Sequence, residues 1–150
     1  MELSASQIRS LILDEHAILR DILEEIEQAL GEMTRRVPGS IGRLRATLHT
    51  FQDAFLRHLN HEETVLRPVL VDVDAWGPVR VAAMDEEHTA QRAALAQLSR
   101  LALGEDLDST VQHIEEFVRR LRADMDGEEH HALSEEVLRD DIIVIDTFMG

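Results

Sequence analysis

Apolar residues recur at three- and four-residue intervals through four long stretches of the chain, the period of helices that each bury one face. In the first stretch Ile8, Leu11, Ile12, Leu13, Ile18, Leu19, Leu23, Ile26 and Leu30 recur at helical spacing. Ser4 with Gln7 makes a capping box ahead of it and Gly31 a stop behind it, predicting a helix over residues 5–30. Ser40 caps a second helix over 41–67, where Pro68 would break it. Pro78 can open a third at its first position. That helix spans 79–103, with Val81, Met84, His88, Leu95 and Leu98 inward and Gly104 at its end. Asp106 or Asp108 caps the fourth, over 109–139, whose inner face is Val111, Ile114, Phe117, Val118, Leu121 and Met125. Four helices of similar length with short connections predict an all-α, up-down-up-down antiparallel four-helix bundle over residues 1–140. After it comes a tail, 141–150, whose Ile-Ile-Val-Ile run does not continue the helical pattern.

Composition narrows the possible chemistry. The 150 residues suffice for one domain with a proper core, and the hydrophobic fraction of 44% with only 3% aromatics favours helices over sheets. A formal net charge of −15 argues against binding nucleic acid, because a phosphate backbone would be repelled. The absence of cysteine excludes disulfides, thiolate metal sites and cysteine nucleophiles. No stretch approaches the roughly 20 apolar residues of a membrane span, and the start of the chain lacks a secretory profile. The expectation is a soluble cytoplasmic protein with neither a nucleic-acid nor a membrane partner.

Histidines and glutamates carry the candidate chemistry. His58-x-x-x-Glu62 is written again as His131-x-x-x-Glu135, and a spacing of four places both side chains of each pair on one helix face. Imidazole and carboxylate so presented are half of a transition-metal site, iron above all. Measured along the expected helices, His16 and His88 lie about 16 and 14 Å from one end of the bundle. His58 and Glu62 lie about 14 and 8 Å from that end, and His131 and Glu135 about 12 and 6 Å. All six candidates therefore share one layer, whereas His113 and His49 fall outside it. Alone, a histidine on an apolar stripe is ordinarily a hydrogen-bonded core residue, and one His-x-x-x-Glu an exposed pair. Buried together, these groups call for a cation, since unpaired ionisable groups lose their hydration.

The ordered pattern His16, His58-x-x-x-Glu62, His88, His131-x-x-x-Glu135 resembles the hemerythrin-like (HHE cation-binding) family over essentially the whole chain. The resemblance implies a non-haem di-iron centre inside the bundle, the two ions bridged by an oxo or hydroxo group and by Glu62 and Glu135. His16 and His58 would hold one iron, His88 and His131 the other. Oxygen carriers of the family have a further histidine four residues after the helix-three ligand, where this chain has Arg92, which cannot coordinate a metal. Glu128 is a candidate replacement, because Glu128, His131 and Glu135 share one stripe of the expected helix. Arg92 is read equally as exposed beside Glu86 or Glu87 and as the partner of a carboxylate behind the ligands. Glu63 and Glu136 are solvated or orient an imidazole, His61 and His130 sit to the side, and Glu15, Asp85, Glu86 and Glu87 read as a soluble face.

Three functions fit. The first is a di-iron protein that binds oxygen, or a related small molecule such as peroxide or nitric oxide, for storage, delivery or sensing. The second is an enzyme at the same site that decomposes peroxide or reduces nitric oxide, for which no dedicated proton donor is identified and the spare acids Glu128, Glu129 and His130 are candidates only by proximity. The third is a helical interaction module with a structural metal such as zinc. The tail either folds across the bundle or docks Ile143, Ile145 and Phe148 into a second copy or another protein.

Overall fold

The first helix begins where the capping chemistry predicts. The Ser4 hydroxyl accepts from the Gln7 amide at 3.2 Å, and the Gln7 side chain accepts from the Ser4 amide at 2.9 Å. In the computed structural model, which describes residues 3–101 and 106–140, this helix, α1, spans Ala5–Thr34. It passes through Gly31 because Met33, two residues on, is buried in the core, and that burial outweighs the roughly 1 kcal/mol a helical glycine costs. The chain reverses through Arg36 and Gly39, both at positive φ, and Gly39 rather than Ser40 precedes α2, Ser40–His61.

The second helix does not stop at Pro68. A π-helical turn, Glu62–Leu66, follows α2 directly and leads into α3, Arg67–Val73. The Arg67 amide donates to the Glu62 carbonyl, five residues back. This wider turn lets Pro68 enter α3 in its first turn, where a missing N–H is tolerated, so the proline does not end the helical path. The connection to α4, Gly77–Arg100, is tight: a side-chain carbon on Gly77 would lie 2.3 Å from the Val71 carbonyl oxygen and 2.4 Å from that of Leu70. The variant G77A is therefore expected to lose ~1–3 kcal/mol, the scale of overpacking, read as a lower thermal midpoint by circular dichroism. The expected stop at Gly104 lies outside the described residues.

The last helix, α5, spans Leu107–His130, with Asp106 as its cap. The expectation that it runs to residue 139 is corrected here. At His131 the backbone leaves helical geometry, with φ −116° and ψ −86°. From there it turns across the end of the domain, so that Leu133, Val137 and Leu138 are buried against Ile8, Ile12, Leu66 and Leu70. Arg9 of α1 donates to the Leu133 carbonyl at 2.6 Å, and Asp140 accepts from the Ser6 amide and hydroxyl at 3.0 and 2.6 Å.

The result is an all-helical domain with no strand among the described residues. α1 packs on α2 and α5, and α4 on α3 and α5. Its apolar interior is in two parts. One holds Leu19, Leu23, Phe51, Phe55, Leu95 and Met125; the other holds Ile12, Leu66, Met84 and Leu133. No described helix is long and apolar enough to cross a membrane. The tail, 141–150, including Ile143, Ile145 and Phe148, lies outside the described residues.

Candidate metal centre

Between the two apolar clusters lies a layer of polar side chains, each set one helical turn from aliphatic neighbours. His16 follows Ile12 on α1, His58 follows Phe55 on α2, Glu62 opens the π-helical turn ahead of Leu66, and His88 follows Met84 on α4. All four are at most 3% exposed. The periodicity that buries the aliphatic residues buries these with them. Glu128, near the end of α5, completes the layer from the fourth long helix.

Each imidazole is oriented from behind by a carboxylate. His16 Nδ1 donates to Glu129 at 2.6 Å, His58 Nδ1 to Glu15 at 2.8 Å, and His88 Nδ1 to Glu63 at 2.8 Å. An ionised carboxylate only accepts, so these bonds place the proton on Nδ1 and turn Nε2 inward. The three carboxylates are anchored in turn. Arg20 donates to Glu129 at 2.7 Å, Arg92 grips Glu63 through both terminal nitrogens at 2.6 and 2.8 Å, and His61 pairs with Glu15. An outer carboxylate that fixes tautomer and ring direction is the usual backing of a metal-ligating histidine.

The inner atoms meet. Glu62 contacts His58 Nε2 through one oxygen and His88 Nε2, at 3.3 Å, through the other. One donor atom from each of His16, His58, Glu62 and Glu128 lies within 4.8 Å of all the others. His16 Nε2 and Glu128 Oε1 are 3.0 Å apart, yet both are buried without a hydrogen-bond partner. The proton on His16 is committed to Glu129. Glu128, pushed well above the usual carboxylate range by burial and by Glu62, has its hydrogen-bond contact with Glu62. A bare nitrogen lone pair therefore faces a bare oxygen, an arrangement that is costly unless something positive lies between them. Mixed imidazole and carboxylate donors at this spacing suit a transition-metal cation.

The same crowding shapes the charges. Burial pulls the His58 imidazole down, but hydrogen bonds to Glu15 and Glu62 outweigh it and raise its pKa to about 9. Burial lowers His16, against the pull of Glu129. Burial would raise Glu62, but hydrogen bonds from His58 and His88 hold it well below the carboxylate range. Burial, with the Asp124 and Glu62 carboxylates nearby, pushes Glu87 up to about 7. Glu87 and Asp124 also line a groove of about 690 Å³ between α4 and α5, walled by Ala90, Phe117 and Leu121.

Of the six residues the sequence nominates, His16, His58, Glu62 and His88 are brought into the layer. His131 and Glu135 are not. α5 ends one residue before His131, which is exposed; the Glu135 side chain is 86% exposed, 3.9 Å from Arg9. Glu128, nominated for its stripe, takes the place expected of Glu135. Glu15 is not part of a soluble face but the support of His58, and Arg92 serves Glu63 rather than Glu86 or Glu87. Glu129 is read from the sequence only as a spare acid near the site, and Asp124 is not singled out at all. The signal for both is the spacing Asp124-x-x-x-Glu128-Glu129, which matches His58-x-x-x-Glu62-Glu63 with one change of residue type.

Compared with protein families, residues 7–137 match the model of the hemerythrin HHE cation binding domain. No curated protein and no solved structure matches the chain.

Proposed function

The chain belongs to the hemerythrin HHE cation-binding domain family, and from that premise we propose that it is a non-haem di-iron protein which binds oxygen or a related small molecule for storage, delivery or sensing. The setting is the up-down-up-down bundle expected from the sequence. His16, His58, Glu62 and Glu128 would hold one ion, and His88, with the same two glutamates, would belong to the other. The observation that carries the reading is the unpartnered pair His16 Nε2 and Glu128 Oε1, buried 3.0 Å apart. Iron, when bound, supplies one-electron chemistry and an open coordination position for a small ligand. The chain's part is to aim the three Nε2 atoms through Glu129, Glu15 and Glu63, and to keep water out with the apolar clusters on either side.

A second reading, an enzyme that decomposes peroxide or reduces nitric oxide, is favoured by one observation. Glu87, held at about 7, borders both the layer and the groove, and is a group able to deliver a proton at neutral pH. Loading the purified protein with Fe(II) without air, and then adding oxygen, peroxide or nitric oxide, separates the readings. Bound iron with a reversible oxygen-dependent optical change supports the first reading, and sustained peroxide or nitric oxide consumption supports the second. Protein that retains no iron and is equally stable with zinc overturns both.

A further inference from the structure

The helices around the layer repeat each other. On α1 the order is Glu15-His16-x-x-x-Arg20, and on α4 it is Glu87-His88-x-x-x-Arg92. On α2, running into the π-helical turn, it is His58-x-x-x-Glu62-Glu63, and on α5 it is Asp124-x-x-x-Glu128-Glu129. The contacts repeat as well. His16 Nδ1 donates to Glu129 and His88 Nδ1 to Glu63, so each half supplies the backing carboxylate of the other half's histidine. Arg20 holds Glu129 at 2.7 Å as Arg92 holds Glu63 at 2.6 Å. His16 Nε2 lies 3.0 Å from Glu128 as His88 Nε2 lies 3.3 Å from Glu62. In this correspondence, Arg92 is simply the counterpart of Arg20.

Of the six matched pairs, one changes residue type: Asp124 stands where the first half has His58. The surroundings of that position repeat too. Glu15 is bonded to His58 at 2.8 Å; Glu87, its counterpart, neighbours Asp124, and one Gln91 amide donates to both at 3.2 Å. Resting on the metal-binding reading above, we infer that the layer has two inequivalent cation positions, and that Asp124 supplies to the second the donor that His58 supplies to the first. The first position is bounded by His16, His58, Glu62 and Glu128; the second would draw on His88, which lies 3.3 Å from Glu62, together with Asp124 and Glu128. The second set is one imidazole poorer and one carboxylate richer. It is a harder, more anionic site, shifted relative to the first toward iron and manganese, and it borders the groove between α4 and α5.

The test is a titration of the full chain, without air, with Fe(II) alone and separately with Co(II) alone, read by calorimetry, by metal content after desalting, and by the Co(II) absorption bands. The wild type takes up two ions in two unequal steps. D124N keeps the first step and weakens the second by about 100-fold or more, beyond the roughly 10–100-fold that loss of an outer partner costs. D124H keeps two ions, tightens the second Co(II) step, and changes its visible bands toward those of the first, because a second imidazole enters the set. Two ions bound by D124N with the wild-type second affinity would overturn the inference. A wild type that takes up only one ion would overturn it while leaving the metal-binding reading intact, and a wild type that takes up none would overturn both.

Discussion

Replacement of Glu62 by alanine is expected to abolish metal retention. Glu62 is the hub of the layer, in contact with His58 through one oxygen, with His88 through the other, and with Glu128. Among the described residues, no other carboxylate contacts both His58 and His88. Removing it leaves three imidazoles and Glu128 without the anion that neutralises a cation in a low-dielectric interior. Affinity for Fe(II) should fall by more than about 100-fold, exceeding the roughly 10–100-fold of an outer-partner loss. E62Q should do nearly the same, since an amide keeps the size but not the charge. Metal content after desalting checks the outcome, with far-ultraviolet circular dichroism to show that the helices persist. Undiminished iron in either variant would mean that the cation lies elsewhere.

The metal-free protein should lose stability as pH rises, the reverse of ordinary acid denaturation. His58 in the folded chain is raised from 6.5 to about 9. Its contribution is therefore complete below pH 6.5 and is lost as pH climbs through about 9, a change on the order of 3 kcal/mol. Glu87 acts in the same direction at lower pH: raised from 4.5 to about 7, it favours the folded state below 4.5 and loses that advantage through 7. Glu15, Glu62, Glu63 and Glu129 are held low, so their contributions vanish only in acid, and His16, which burial holds below 6.5, works against the decline only below that pH. Urea unfolding of chelator-treated protein from mildly acidic to alkaline pH should show the decline. With iron bound the trend should disappear, because a cation replaces the protons and binds more tightly as they leave. A metal-free stability that stays level or rises across the window would contradict the charge arrangement around His58.

Periodicity makes much of the helical fold and of the metal layer legible in the sequence. An apolar stripe locates each helix, and a histidine on that stripe is placed in the interior with it, which is why His16, His58 and His88 are found where the spacing puts them. Glu62 is found for the same reason, four residues from His58. The stripe fails at the end of α5 because Leu133, Val137 and Leu138 keep helical spacing although the backbone has turned, so the pattern does not distinguish a continuing helix from a segment folded across its end. His131 and Glu135 were carried along by that error. Pro68 misled in the opposite direction: a proline ends an α-helix, but a π-helical turn just before it changes the hydrogen-bond register and lets the path continue. The supporting carboxylates were hidden because charged residues on the edge of a stripe look alike whether they face water or the back of an imidazole. Only the pairing of α1 with α5, and of the π-helical turn with α4, distinguishes Glu129 and Glu63 from solvated neighbours.

The division of the interior into two aliphatic clusters gives the layer between them a mechanical meaning. α1 carries residues of both clusters, with His16 between them. A cation that binds only the folded layer would therefore be expected to stabilise the packing on both sides of it at once, read as a single thermal transition that moves up as the ion is added.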